Sequence, residues 1–156
     1  MMEDELFETI YENTARPLWA YVARVSGNAS VADDILQETY LRFLGAAGRP
    51  TDEKEAKQYL YKIATNLVYD RFRRLKRRSE TEVEEASLRT DNDFGAAIEL
   101  SQIFSRLKEQ ERVLLWLAYV EGYDHEQIAR IVNVNKLSVK VLLFRARRKL
   151  AEMIKH

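Results

Sequence analysis

Apolar residues recur at helical spacing through the first fifty residues of the chain. The first stripe falls at i, i+1, i+4 and i+5, on one face of a helix over residues 3–13, and consists of Leu6, Phe7, Ile10 and Tyr11. Pro17 is expected to restart this helix, which continues to a Ser-Gly-Asn turn at residues 26–28. Ser30, with Asp33 three residues later, predicts the N-cap of the next helix.

The longest periodic segment begins near Glu55 and ends near Arg78. At 1.5 Å per residue, this helix would be roughly 36 Å long. Its apolar residues keep a 3.6-residue period and are Ala56, Tyr59, Leu60, Ile63, Ala64, Leu67, Val68, Phe72 and Leu75. The period is lost over residues 79–94, which are acidic and polar and predict a linker.

The C-terminal part of the chain resumes the helical period. An apolar helix is predicted over residues 109–121 and ends at Gly122, and Asp124 with Gln127 predicts a capping pair for a short helix over residues 125–132. A last helix is predicted from Lys136 to Ile154. Two short helices, a tight turn and a longer basic helix have the proportions of a helix-turn-helix.

These elements predict an all-α protein of two small helical domains. Only five Gly and two Pro occur in 156 residues, which leaves few turn signals and favours helices. We expect an N-terminal helical domain at 1–78, an acidic linker at 79–99, and a C-terminal helix-turn-helix domain at 100–156.

Charge is distributed unevenly, although 25 basic and 25 acidic residues cancel over the whole chain. Residues 1–78 carry a net charge of +1, residues 79–99 carry −6, and residues 100–156 carry +5 from 11 basic and 6 acidic groups. The basic C-terminal part is therefore the region of the sequence that favours a polyanionic partner.

Composition excludes several classes of function. The chain has no Cys and two histidines, His125 and His156, far apart in sequence, so we expect no disulfide, no metal site, no cofactor and no catalytic centre. The longest apolar run, residues 113–120, is less than half the ~20 residues that span a bilayer. The acidic N-terminus differs from a signal peptide. We expect a cytoplasmic protein without membrane insertion.

A compact polar patch is predicted on the second helix. Asp34, Gln37 and Glu38 fall at i, i+3 and i+4, on one face. No base, metal ligand or nucleophile accompanies these carboxylates, so a catalytic role is disfavoured. From the residues alone, an ordinary solvated surface is the favoured interpretation of this patch.

A second polar stripe is predicted on the long helix. Its members are spaced i, i+4, i+7 and i+11 and are Lys62, Asn66, Tyr69 and Arg73. The stripe ends in the run at residues 71–78, which holds six basic residues, Arg74 and Arg77 among them. Cations, an amide and an aromatic ring suit unpaired nucleic acid. The alternative is a solvated helix end, where cations are favoured by the helix dipole.

The last helix is predicted to pack through Val139, Leu143, Ala146 and Leu150. The candidate DNA-binding set lies away from that stripe and consists of Ser138, Lys140, Val141, Phe144, Arg145 and Arg148. Basic groups around an apolar centre suit a helix in the major groove, where they contact phosphates and thymine methyls. A protein-binding face is the competing interpretation, because Val141 and Phe144 would otherwise be exposed.

Three segments in this order resemble a bacterial RNA polymerase sigma factor of the extracytoplasmic-function group. They are DDILQETYLRF at 33–43, QYLYKIATNLVYDRFRR at 58–74, and the stretch from LKEQERV to RARRKL at 107–150. The resemblance covers nearly the whole chain, and it rests on the order and spacing of the segments, because no single motif is decisive.

The resemblance implies the roles of particular residues. The face of Asp34, Gln37 and Glu38 would dock on the clamp helices of the largest subunit of core RNA polymerase, and the polymerase flap is a further implied contact. The loop at 48–52, with Lys62 and Asn66, would open and recognise the −10 promoter element. Residues matching the recognition helix would enter the −35 major groove, and these are Lys140, Phe144 and Arg145. An anti-sigma factor is a further candidate partner.

The chain departs from the family it resembles at the start of the recognition helix. Sigma factors of this group usually have Thr-Val-Lys/Arg-Ser-Arg there, whereas this chain has Ser-Val-Lys-Val-Leu at residues 138–142. Val141 and Leu142 thus replace a hydroxyl and a guanidinium. The resemblance leaves three outcomes for this helix: an altered −35 preference, weak −35 recognition, or a surface shared with a protein.

Two other functions stay open from the residues alone. A helix-turn-helix regulator without sigma activity would bind promoters in the absence of polymerase, but would leave the patterns at 33–43 and 55–78 unexplained. An adaptor that uses its last helix for protein docking would tolerate loss of Lys140 and Arg145.

Overall fold

In the computed structural model, which describes residues 2–79 and 96–155, every regular element is a helix. The elements are α1 (Met2–Ser26), α2 (Ala29–Gly45), α3 (Glu53–Ser79), α4 (Ala96–Arg106), α5 (Glu109–Tyr119), α6 (His125–Val132) and α7 (Lys136–Lys155). The all-α prediction is confirmed. Within the same residues, no helix is both long and apolar enough to cross a membrane.

The chain divides into two compact units, Met1–Asp70 and Arg71–His156, and the division falls within α3. The predicted acidic linker at 79–99 lies outside the described residues apart from its two ends. Ser79 closes α3, and the last four positions of the linker open α4. The domain boundaries proposed from the sequence stay a prediction.

Helix α1 continues through Pro17 as a single helix of 25 residues, so the predicted restart at this proline is wrong. Proline removes one backbone N–H and favours a helix break. Here, however, the buried residues Ile10, Thr14 and Leu18 keep their four-residue spacing across Pro17. Burial of one continuous stripe on both sides of the proline accounts for the unbroken helix.

The N-cap of α2 is Asn28, and the predicted Ser30 cap is wrong. The Asn28 side-chain oxygen accepts hydrogen bonds from the backbone N–H groups of Ser30, at 3.0 Å, and Val31, at 3.3 Å. Asn28 has an extended backbone with φ −149°, the conformation that lets a cap oxygen reach the first turn. Ser30 already lies inside the helix.

The first unit is held together by α1, α2 and α3, with tyrosines at the centre of the packing. The rings of Tyr21 and Tyr61 are fully buried, with centroids 5.0 Å apart. The Tyr21 hydroxyl lies 2.7 Å from the Thr65 hydroxyl, and the Thr14 and Tyr40 hydroxyls are 2.5 Å apart. These pairs satisfy buried polar groups that would otherwise destabilise the core.

The second unit forms the predicted helix-turn-helix from α6 and α7. The Asp124 carboxylate accepts from the Gln127 N–H at 2.8 Å, and the Gln127 side-chain oxygen accepts from the Asp124 N–H at 2.9 Å. The predicted capping pair and the bounds of the short helix are therefore confirmed. Asn133 ends α6 with φ 58°, a left-handed conformation that asparagine tolerates better than most residues. Asn135 then caps α7 by accepting from the Ser138 N–H at 2.8 Å.

Arg112 on α5 is a buried charge that the apolar pattern did not predict. Its side chain is only 5% exposed, and its guanidinium donates to the carbonyls of Ser105, at 3.2 Å, and Leu107. These carbonyls lie at the end of α4, where helix backbone groups lack helical partners. Burial lowers the pKa of Arg112, and Glu109 and Glu111 oppose that effect. Arg112 therefore joins the end of α4 to α5.

Candidate nucleic-acid interfaces and docking surface

The α2 surface, which we define as Asp34, Gln37 and Glu38, is exposed on one side of α2. The opposite side is buried and consists of Val31, Ala32, Ile35, Thr39, Tyr40 and Phe43. Glu38 accepts a hydrogen bond from Arg42 at 3.0 Å, and both side chains are about half exposed. Exposed ion pairs contribute little stability, so a binding partner could replace Arg42 as the partner of the Glu38 carboxylate with little loss of stability.

Two exposed leucines extend the α2 surface and were missed from the sequence. Leu41 is 60% exposed and Leu44 is 40% exposed. Leu41 lies seven residues after Asp34, and Leu44 lies seven after Gln37, so both continue the same face by two helical turns. That spacing was the available signal. An acidic patch beside exposed leucines suits a protein partner better than DNA.

The α3 surface is the set predicted on the long helix: Lys62, Asn66, Tyr69, Arg73, Arg74 and Arg77. Lys62 and Asn66 are exposed in the first unit, and the three arginines are exposed in the second. Tyr69 is half-buried, and its hydroxyl oxygen is fully buried. Only part of the Tyr69 ring is therefore accessible for stacking. Tyr61, which immediately precedes Lys62 in the sequence, is buried in the core.

The loop between α2 and α3 is held by Arg49. Its guanidinium donates to the Leu44 carbonyl at 2.7 Å and lies 5.8 Å from the centroid of the buried Phe43 ring. Gly48 precedes it with φ +71°, a conformation that other residues rarely adopt. The structure therefore turns the Arg49 side chain back onto the end of α2. The resemblance had assigned this loop to −10 recognition.

The α7 surface is the set predicted on the last helix: Ser138, Lys140, Val141, Phe144, Arg145 and Arg148. All of its members are exposed except Ser138, which is half-buried. The opposite face packs through Val139, Leu143 and Ala146, as predicted, while Leu150 is only half-buried. The helix thus separates a buried stripe from a basic and apolar surface.

The cations of α7 differ in their contacts. Arg147 donates to the Tyr119 hydroxyl at 3.0 Å, and Lys149 donates to Glu111 at 3.0 Å. Arg148 lies 4.0 Å from Glu152, and both side chains are more than two-thirds exposed. Lys140 and Arg145 make neither an ion pair nor a side-chain hydrogen bond with any residue the structure describes. Within the α7 surface, these two are therefore the cations best placed for an external anion.

Leu137 is an exposed residue of α7 that the sequence analysis did not single out. It is 77% exposed, more than Val141 at 48% or Phe144 at 52%. Its position four residues before Val141 places it on the same side of the helix. The four-residue spacing from Val141 was the signal available in the sequence.

A shallow groove of about 430 Å³ lies beside α7 in the second unit. Its lining combines two acidic residues, Asp124 and Glu126, with two cations, Lys136 and Arg147. Tyr123 also lines it, and burial, with a smaller effect of Glu121, raises the pKa of Tyr123 to about 12. The mixed charge does not indicate a single class of charged ligand.

The geometry of the α2, α3 and α7 surfaces supports the binding of macromolecules. Among the residues whose side chains are described, no group of three or more acidic, His or Cys residues could hold a metal ion. What the three surfaces offer is an acidic and apolar patch on α2, an amide with cations on α3, and a basic helix with an apolar centre on α7. Such surfaces can hold a protein and two forms of DNA.

Two family profiles match most of the chain. Sigma-70 region 2 matches residues 10–78, which include the α2 and α3 surfaces. Sigma-70 region 4 matches residues 97–150, which include α6 and the α7 surface.

Curated relatives match over nearly the full length. The ECF RNA polymerase sigma factor SigL of Mycobacterium tuberculosis is 27% identical over 161 residues, covering 95% of this chain and 88% of SigL. The ECF RNA polymerase sigma factor EcfG of Rhodopseudomonas palustris is 30% identical over 144 residues, covering 88% of this chain and 78% of EcfG.

A solved structure is similar in fold. The sigma factor RpoE of Bartonella quintana, crystallised in complex with the anti-sigma factor NepR, aligns with a TM-score of 0.74 at 19% identity. The alignment covers 96% of both chains. At this identity, the comparison supports the helical fold alone.

Proposed function

The chain belongs to the ECF sigma factors of RNA polymerase and acts in transcription initiation, and we propose that its three surfaces divide that work. The α2 surface binds core RNA polymerase, the α3 surface captures the opened −10 strand, and the α7 surface recognises the −35 element. The observation that carries this proposal is the pair Lys140 and Arg145, both exposed on the helix-turn-helix and without an ion pair or side-chain hydrogen bond among the described residues.

The polymerase-binding role of α2 is supported by the composition of its exposed face. Asp34, Gln37 and Glu38 supply carboxylates and an amide, and the exposed leucines supply apolar area. Interfaces combine such a polar rim with apolar contacts. We propose the clamp helices of the largest subunit as the partner of this face and the flap as a partner of the second unit.

The −10 role of α3 is supported by the exposure of Lys62 and Asn66. Asn66 can donate to and accept from a base edge, and Lys62 can contact a phosphate. Unstacking a base costs a few kcal/mol, which contacts in a pocket offset. Arg49 would act indirectly, because its contacts with Leu44 and Phe43 fix the loop that leads into α3.

The −35 role of α7 is supported by the separation of its two faces. The buried stripe anchors the helix, and the opposite face presents cations around an apolar centre. B-DNA admits a helix in its major groove, where a guanidinium can make two hydrogen bonds to guanine. Arg145 is the candidate for such a contact, and Lys140 is the candidate for a phosphate contact.

Three further proposals follow from family membership. We propose that the chain has no catalytic centre of its own, because sigma factors act by binding and positioning polymerase. We propose a cytoplasmic location, where promoters and polymerase meet. We also propose an anti-sigma factor as a partner, because the structural neighbour RpoE was crystallised in complex with the anti-sigma factor NepR.

Reconstitution with the cognate core polymerase tests the assignment. The holoenzyme is presented with a library of genomic fragments, and transcript starts are mapped for the wild type and for variants of each surface. We expect a shared pair of upstream elements before the starts. Alanine at the α2 surface should reduce starts at all promoters, while alanine at Arg145 should reduce those that depend on the −35 element.

The same experiment separates the two alternatives. Stable promoter binding by the isolated chain, without any start specificity added to core polymerase, would favour a helix-turn-helix regulator. Normal start selection by variants lacking Lys140 and Arg145 would favour an adaptor. Either result would refute the proposed division of work.

A further inference from the structure

We propose that α7 recognises thymine methyl groups through an apolar ridge of Leu137, Val141 and Phe144, and that Leu137 is a specificity-determining residue. The proposal rests on the −35 role proposed above for α7. It adds the chemical class of base that the helix prefers and a residue that the α7 surface did not include.

Helical geometry places the ridge opposite the buried face of α7. At about 100° per residue, all three ridge residues fall within about 50° of the point opposite Val139, Leu143 and Ala146. Lys140 lies about 90° to one side of that point, and Arg145 lies about 50° to the other. Leu137, Val141 and Phe144 are therefore central, Lys140 and Arg145 flank them, and Arg148 continues the same side of the helix one turn beyond Phe144.

The ridge is exposed where a soluble helix would normally carry polar groups. Leu137, Val141 and Phe144 are 77%, 48% and 52% exposed. They span two helical turns at i, i+4 and i+7, so they form one continuous apolar strip. Contiguous exposed apolar area of this kind marks a binding surface.

The charges beside the ridge favour DNA as its occupant. Lys140 and Arg145 stand on opposite sides of the ridge, where they could approach the phosphates of the two strands that border a groove. Helix α7 carries a single acidic residue, Glu152, near its C-terminal end. Residues 100–156 carry a net charge of +5. This positive charge attracts a polyanion such as DNA, whereas a neutral protein partner would not require it.

The ridge discriminates among bases because its side chains carry no hydrogen-bonding groups. In the major groove, only thymine presents a methyl group, whereas the other bases present donors and acceptors alone. Leu, Val and Phe make no hydrogen bonds to those groups, and burying them unpaired costs free energy. Thymines facing the ridge are therefore favoured. Related recognition helices carry a hydroxyl and a guanidinium at the positions of Val141 and Leu142. In this chain, recognition of thymine methyls by the ridge takes the place of those polar contacts.

Uracil substitution tests the proposal with the unmodified protein. The −35 elements that the reconstituted holoenzyme prefers are first selected from random duplexes. Each thymine is then replaced in turn by deoxyuridine, which keeps the pairing and the hydrogen-bonding groups and removes only the methyl. We expect each contacted methyl to contribute about fourfold in relative affinity.

A variant identifies the residue responsible. Leu137→Ala should reduce the uracil effect at one position and leave the others unchanged. Ile154→Ala is the matched control, because Ile154 is 54% exposed on α7 but lies outside the ridge. This control should keep the whole wild-type pattern.

Each outcome has a distinct meaning. Affinity that is unchanged by uracil at every position overturns the methyl proposal, and if Arg145→Ala still lowers the preference for an intact over a scrambled −35 element, the proposed −35 role stands. Loss of both effects refutes the −35 role as well. If Leu137→Ala lowers affinity for core polymerase and uracil has no effect, the ridge is a protein-docking surface and the proposal fails.

Discussion

Arg145 and Lys140 should differ in how their loss affects promoter binding, although both are exposed cations of α7. Neither makes an ion pair or a side-chain hydrogen bond within the described residues, so replacing either one by Ala breaks no such contact. Helical content and stability should therefore stay unchanged. The change in promoter affinity of each variant therefore measures the lost DNA contact directly.

The expected magnitudes follow from the type of contact. A bidentate contact from Arg145 to a base is worth ~1–3 kcal/mol, so Arg145→Ala should lower affinity roughly 5- to 140-fold at 1.4 kcal/mol per factor of ten. Lys140, as a phosphate contact, should change the salt slope by about 0.9. Between 50 and 200 mM salt, that slope corresponds to about 3.5-fold in affinity. Arg148, close to Glu152, should contribute less.

Competition binding by the reconstituted holoenzyme measures both effects. Promoter fragments with an intact or a scrambled −35 element are compared across a salt series. Arg145→Ala should reduce the difference between the two fragments, and Lys140→Ala should weaken both alike. Lys155→Ala is the matched control, because Lys155 is an exposed cation of α7 outside the α7 surface.

Two results would refute this reasoning. If Arg145→Ala weakens intact and scrambled elements equally, the guanidinium contacts phosphate and is not the base contact. If Lys155→Ala changes the salt slope as much as Lys140→Ala, all the cations of the helix attract DNA through a general electrostatic field, and Lys140 and Arg145 have no particular role in it.

Four further predictions concern other parts of the chain. Glu38→Lys should weaken co-purification with core polymerase at unchanged helical content, whereas Glu12→Lys on α1 should not; equal losses would refute the α2 assignment. Asn66→Ala should impair duplex and pre-melted promoters alike in transcription assays if it contacts a base, and a normal rate on both would return α3 to a solvated helix. Replacing residues 79–99 by a neutral flexible segment of equal length should preserve promoter selection, and altered transcript starts would contradict a tethering role. Because the pKa of Tyr123 is raised to about 12 from 10, the stabilisation from its neutral phenol is complete below pH 10 and lost between pH 10 and 12; denaturant unfolding of Tyr123→Phe should lack that loss, and identical pH profiles would disprove it.

Helix positions followed from the sequence wherever one face is buried. The stripe of α7 and the short helix α6 were predicted at nearly their observed bounds, because periodicity and a capping pair are local signals. The errors at Pro17 and Ser30 have the same origin. In both cases, packing or a neighbouring side chain outweighed the preference of a single residue.

The sequence predicted which residues share a face of a helix, because that depends on their spacing. It did not predict which residues those side chains contact. Sequence placed the polar set of α2 on one face, but did not show that Leu41 prolongs it. It also could not show that Arg49 turns back onto α2, or that Arg112 is buried against helix-end carbonyls. These contacts depend on how elements meet in space, which periodicity along one element does not contain.

The two faces of α7 give this protein room to evolve. Substitutions on an exposed helix face usually change stability by less than ~0.5 kcal/mol, whereas truncating a packed residue such as Leu143 costs ~2–5 kcal/mol. A lineage can therefore exchange Leu137, Val141 or Arg145 one at a time without passing through an unfolded intermediate. Duplicated copies of such a gene could acquire separate sets of promoters while keeping one stable scaffold.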